Sequence, residues 1–119
     1  MPALQPLLSH SEQAMNESSS TLYAKLLGET AAITWEELQP FFARGQLLWV
    51  EGQEDLVGVA LAVAEDDKPQ VAALLQAGKL ERVEEARARD LLERDPTLWA
   101  VVVAPWVLVQ ERLEAPARH

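Results

Sequence analysis

The stretch Leu98–Gln110, LWAVVVAPWVLVQ, holds the longest apolar run in the chain. Five valines and two tryptophans favour an extended backbone, because branched and aromatic side chains suit a pleated surface. Apolar residues occupy both odd and even positions, so neither face of this strand is made for water. Leu98–Val109 is too short to span a bilayer as a helix. Pro105 lacks an N–H and denies the ladder one donor, which predicts an edge position, a bulge or a bend. Trp99 and Trp106 have opposite parity. On a regular strand they face opposite sides, whereas a bulge at Pro105 places them on one.

Working back from this strand, EEARARDLLERDP (residues 84–96) reads as a charged helix. Its Glu85/Arg89 and Asp90/Arg94 pairs add only about 0.2–0.5 kcal/mol each; Leu91 and Leu92 are its anchor, and Pro96 marks its end. KLERV (79–83) is a candidate strand. EDLVGVALAVAE (54–65) sets Leu56, Val59, Ala60 and Val63 on one helical stripe and Val57, Leu61 and Ala64 on a second. Such a helix must be buried on two sides, by its own domain or by a partner. Gly58 inside it costs about 1 kcal/mol relative to Ala and points to a close helix contact. Asp67 and Gln70, spaced like a capping box around Pro69, start a helix that buries Val71, Leu74 and Leu75 and stops at Gly78.

Further upstream, QLLWV (46–50) is a short strand. In ITWEEL (33–38), Thr34 caps a helix with Glu37 three residues on, and Ile33 staples against Leu38, so the helix starts at Trp35. Pro40 predicts a bend or restart, Phe41 and Phe42 supply core mass, and Gly45 closes the segment. STLYAKLLG (20–28) pairs Leu22 with Leu26 and Tyr23 with Leu27 at helical spacing, with Gly28 placed to end it. The expected organisation is a flexible tail over residues 1–19, a single globular domain over 20–113 and a short tail over 114–119. The second methionine, Met15, ahead of NESSS, predicts that translation begins there.

The order is helix, helix, strand, helix, helix, strand, helix, strand. Setting aside the first helix and the charged helix leaves the order of a winged helix. The expected fold is therefore α+β and winged-helix-like: helix-rich, with a small three-stranded antiparallel sheet and an extra N-terminal helix. The helix-turn-helix falls on Leu56–Ala64 and Lys68–Ala77, and the charged helix replaces the wing tip.

Composition limits the chemistry such a fold can do. The 119 residues are 49% hydrophobic and 24% charged, typical of one folded domain. There is no cysteine, which removes disulfides, thiolate catalysis and Cys-based metal sites. The two histidines, His10 and His119, stand in the tails, so the packed region offers no imidazole as base or ligand. A formal charge of -9 repels phosphate backbones and anionic membranes. The N-terminus lacks a basic region followed by an apolar one, which places the expected protein in the cytoplasm.

Three stretches, LYAKLLGETAAITWEELQPFFARGQLLWV (22–50), AVAEDDKPQV (62–71) and VVVAPWVLVQ (101–110), are together similar to the bacterial domain of unknown function 2288 family. The resemblance spans roughly residues 20 to 112, and ITWEELQPFFARG (33–45) is its most specific part. It implies a single intracellular bacterial domain and brings no activity, substrate or catalytic residue with it.

The candidate sites divide on physical grounds. A DNA-reading helix needs a basic footprint, yet Glu54–Lys79 carries five acids against two bases. Only Arg82, Arg87, Arg89 and Arg94, near the wing position, offer a basic face for the alternative reading of a winged-helix nucleic-acid binder or regulator. Glu65, Asp66 and Asp67 fan out along the backbone, so Asp67 reads as a cap and its neighbours as solvated charge. Ser18, Ser19 and Ser20 read as cap candidates with no base to activate them. A small carboxylate-dependent enzyme ranks third, because nothing marks two acids as facing each other across a pocket. No catalytic, cofactor, metal or nucleic-acid-binding residue is assigned. The leading expectation is a non-catalytic protein-interaction module, self-association included, with Val57, Leu61, Ala64, Trp99 and Trp106 as the hypothetical interface.

Overall fold

The computed structural model describes residues 19–111. The expected start at Met15 and the C-terminal tail lie outside the described residues. Ser19, assigned to the N-terminal tail from sequence, already belongs to the first helix.

That helix, α1 (residues 19–29), is followed by β1 (Ala31–Ile33), α2 (Trp35–Ala43), β2 (Leu47–Val50), α3 (Leu56–Ala64) and α4 (Lys68–Gln76). Then come β3 (Leu80–Arg82), α5 (Glu85–Arg94), β4 (Leu98–Val103) and β5 (Trp106–Glu111). The five strands form one sheet in the order β1-β4-β5-β2-β3. β5 pairs antiparallel with β4 and parallel with β2, while β1 and β3 form the antiparallel edges.

Strand alternation explains why the sheet is buried on both faces. Leu47, Trp49, Leu98, Ala100, Val107 and Val109 point to one face and pack with Trp35 and Leu38 of α2 and Ala88 and Leu91 of α5. Leu48, Val50, Val101 and Leu108 point to the other and pack with Leu26 of α1 and Leu56, Val57, Val59 and Ala60 of α3; Val71 and Leu74 of α4 join from outside. All four residues of β2 are buried. The sheet is the middle layer of three.

The fold class is α+β as expected, but the winged-helix expectation with its three-stranded antiparallel sheet is corrected to a five-stranded mixed sheet. Three causes account for the difference. Ala31–Ile33 forms an edge strand by pairing with Leu98–Ala100, although AAI has neither the length nor the alternation that marks a strand in sequence. Leu98–Gln110 is two strands rather than one: Ala104 and Pro105 turn the chain through a cis Ala104–Pro105 bond, and Val103 lies opposite Trp106. Neither turn residue is of the Asn-Gly or Gly-containing kind that signals a hairpin. Finally, β2 lies parallel to β5, a long-range pairing invisible to local patterning. The charged helix α5 is no wing tip; it lies beside α2 on the sheet face opposite α3 and α4.

Local signals fare better. The Thr34/Glu37 capping box forms in full and α2 begins at Trp35. Pro40 sits inside α2 without the expected restart. Both Pro40 and Glu36, whose carbonyl it leaves without an intrahelical donor, are exposed to water. α1 runs one residue past Gly28. Gly58 meets the carboxylate of Asp55 rather than a neighbouring helix: a Cβ there would stand 3.0 Å from Asp55 Oδ2.

Candidate functional site

The two helices on one sheet face leave a groove between them. The capping box fixes the start of α2 so that Trp35, Gln39 and Phe42, spaced four and three apart, line one side. Glu85, Ala88, Arg89 and Leu92 repeat the same spacing along α5 and line the other. α5 ends at Asp95, which adopts a left-handed backbone at φ 49°. The cleft between the two helices holds about 400 Å³. It continues past the start of α2, where Thr34, Glu36 and Asp95 join Trp35, Gln39 and Leu92.

The floor is apolar. Trp35 is buried, and its ring meets that of Phe42 at a centroid distance of 5.7 Å and an angle of 54°. Ala88 closes the base from α5. At the lip stands Leu92, 60% exposed. Adjacent residues on a helix point about 100° apart, so α5 can aim only one of its two leucines at the sheet. Leu91 takes that place, fully buried, and the expectation that both anchor the helix is corrected for Leu92.

Charge is distributed unevenly around α5. Away from the groove, Arg87 and Arg94 are paired within the protomer. Arg87 binds Glu81 at 2.8 Å and lies 4.5 Å above the Trp49 ring, and Arg94 binds both Asp90 and Glu111. Around the groove, Glu36, Glu85, Asp95 and Arg89 make no side-chain ion pair or hydrogen bond among the described residues.

The five residues of the hypothetical interface all fall on the opposite sheet face. Val57 is buried in the protomer's own core, Leu61 is half-buried against it, and Ala64 is exposed. Trp99 and Trp106 are half-buried on that same face, because the Ala104–Pro105 turn brings Trp106 opposite Val103, two pleats along from Trp99. Among the described residues, the large exposed apolar side chains are instead Leu27, Leu75, Leu92 and Val102. Of the four arginines considered as a basic face, Arg82 donates to the Gly45 carbonyl, Arg87 and Arg94 are in ion pairs, and Arg89 stands in the groove.

Among the described residues no polar or charged side chain is buried, and no three His, Cys, Asp or Glu side chains converge as metal ligands. Among them, too, no helix is long and apolar enough to cross a membrane. What the arrangement offers chemically is a concave apolar floor with ionised groups at its edge.

These features define a class: an α+β domain whose mixed sheet is enclosed between two helical layers, with a groove on the outside of one layer. The sequence model of the family described as "Protein of unknown function (DUF2288)" matches residues 21–111, and the chain belongs to that family. The NMR solution structure of PA1075 from Pseudomonas aeruginosa is similar at 68% sequence identity and a TM-score of 0.71, over 80% of this chain and 88% of that one. No curated protein matches.

Proposed function

We propose that the chain is a non-catalytic protein-interaction module that receives its partner in the groove between α2 and α5. The observation that carries this reading is Leu92, a largely exposed leucine at the lip of an apolar floor made by Trp35 and Phe42. Burying the exposed part of such a side chain in a complex contributes about 1–2 kcal/mol. An apolar centre with aromatic residues and a polar rim is the usual anatomy of a protein contact. The described residues include neither histidine nor cysteine. With none of their carboxylates buried, they also lack the environment that pushes two acids apart in pKa for general acid–base work.

The test places a photo-crosslinking residue at position 92 of the full chain, and in a second sample at Leu75, an exposed leucine on α4 across the sheet. Exposed to a lysate of the source organism, position 92 is expected to yield a discrete protein adduct that Leu75 does not. Equal patterns at the two positions would remove the groove as the contact surface. Self-association is the form of this reading in which the adduct is a second copy, and light scattering after size exclusion distinguishes it from a 13.2 kDa protomer.

A further inference from the structure

The charge around the groove identifies the kind of partner. Three acids, Glu36, Glu85 and Asp95, and a single base, Arg89, edge the apolar floor. None of the four has an ionic partner among the described residues, whereas Asp90 on the far side of α5 and Glu81 and Glu111 on the neighbouring strands are held by Arg87 and Arg94. An unneutralised anionic rim around an apolar floor complements a segment with apolar residues on one side and Lys or Arg on the flanks. The floor is lined at helical spacing along both walls, over the length of the ten-residue helix α5, or roughly 15 Å. That length matches about three turns of an incoming helix. A second copy of this chain is the wrong occupant electrostatically, because it brings a formal charge of -9 to an acidic rim.

We infer that the groove binds a cationic amphipathic helix of another protein, with its apolar stripe on Trp35, Phe42 and Leu92 and its basic flank against Glu36, Glu85 and Asp95. This rests on the reading of the groove as the contact surface and adds the charge and periodicity of the partner. Rim charges of this kind act mainly on association rate and selectivity, so the interaction weakens as salt screens them.

The experiment uses the full chain and two labelled peptides of about four turns. Both carry Leu at i, i+3, i+4 and i+7, one with Lys and the other with Glu at the remaining positions; binding is followed by fluorescence anisotropy. The expected result is binding of the Lys peptide that weakens on the order of tenfold in E36K/E85K. Leu92→Glu should weaken it at least as much, roughly tenfold or more. The same charge change placed elsewhere, E29K/E65K, should have little effect. Circular dichroism of each variant confirms that it is folded. Equal binding to E36K/E85K and E29K/E65K would overturn the proposal, because the attraction would then be to net charge alone. Equal binding of the two peptides that is still lost in Leu92→Glu would overturn the charge assignment and leave the groove standing. Indifference to Leu92→Glu would remove both, and a dimer that dissociates in Leu92→Glu would replace the heterologous helix with a second copy.

Discussion

Tyr23 of α1 donates its phenol hydrogen to Oδ2 of Asp55 at 2.8 Å, while Oδ1 of the same carboxylate accepts from the Val57 amide and caps α3. One side chain thus starts a helix and ties it to another. Gly58 leaves room for this arrangement, since a β-carbon there would crowd Oδ2.

The Asp55 carboxylate accepts the phenol's hydrogen bond and so holds the Tyr23 pKa above its ordinary 10.0, with desolvation adding in the same direction. A group whose folded pKa is raised stabilises the fold fully below the unfolded value, and that contribution is lost as pH rises through the folded one. Tyr23 is the single tyrosine in the chain, so its phenolate absorbance can be followed alone. The midpoint is expected above 10.0 in the native protein and lower in Asp55→Asn. Identical midpoints would contradict the contact.

Acid acts through an ion pair on the opposite face of the sheet. Hydrogen bonds from Arg94 hold the Asp90 carboxyl below its ordinary 3.8. Because this folded value is depressed, the stabilisation is present above 3.8 and is lost as pH falls through the folded value. Urea midpoints measured from neutral pH downward should show a smaller acid-side decline in Asp90→Asn than in the native chain. The same Arg94 binds Glu111 through two hydrogen bonds of 3.0 Å, so Arg94→Ala should also loosen α5 from β5, visible as faster amide exchange in the last turn of the helix.

Two leucines separate core from surface. Leu108 is fully buried in β5, between β4 and β2, and Leu108→Ala should destabilise by about 2–5 kcal/mol. Leu92→Ala should stay within about 0.5 kcal/mol, since the side chain is exposed. Chemical denaturation of both variants is the check; a large loss at position 92 would mean that this leucine belongs to the core and not to the groove.

At the head of α2, the Thr34 hydroxyl accepts from the Glu37 amide and the Glu37 carboxylate accepts from the Thr34 amide. Thr34→Ala should cost about 1 kcal/mol. Because α2 forms one wall of the groove, the same variant should weaken any ligand bound there, an effect that a cap remote from the groove, such as Asp67 on α4, should not share.

Features that depend on near neighbours in the chain were legible from the residues alone. The capping box sets the start of α2, the apolar residues all round Leu56–Ala64 demand a buried helix, and the acid-rich balance is fixed by composition. Each is decided within a few residues, where backbone hydrogen bonding and helical periodicity act. Strand pairing and the surface left uncovered depend on contacts between distant segments. A two-residue turn at Ala104–Pro105 reverses the chain without interrupting its apolar run, so counting parity from Trp99 to Trp106 gives the wrong face. Nothing local marks Ala31–Ile33 for pairing with Leu98–Ala100, or β2 for lying parallel to β5. The groove is of the same kind: that Leu91 and Leu92 diverge is geometry of the helix, but which of them meets the sheet depends on how α5 lies against α2 and β2, contacts made by residues far apart along the chain.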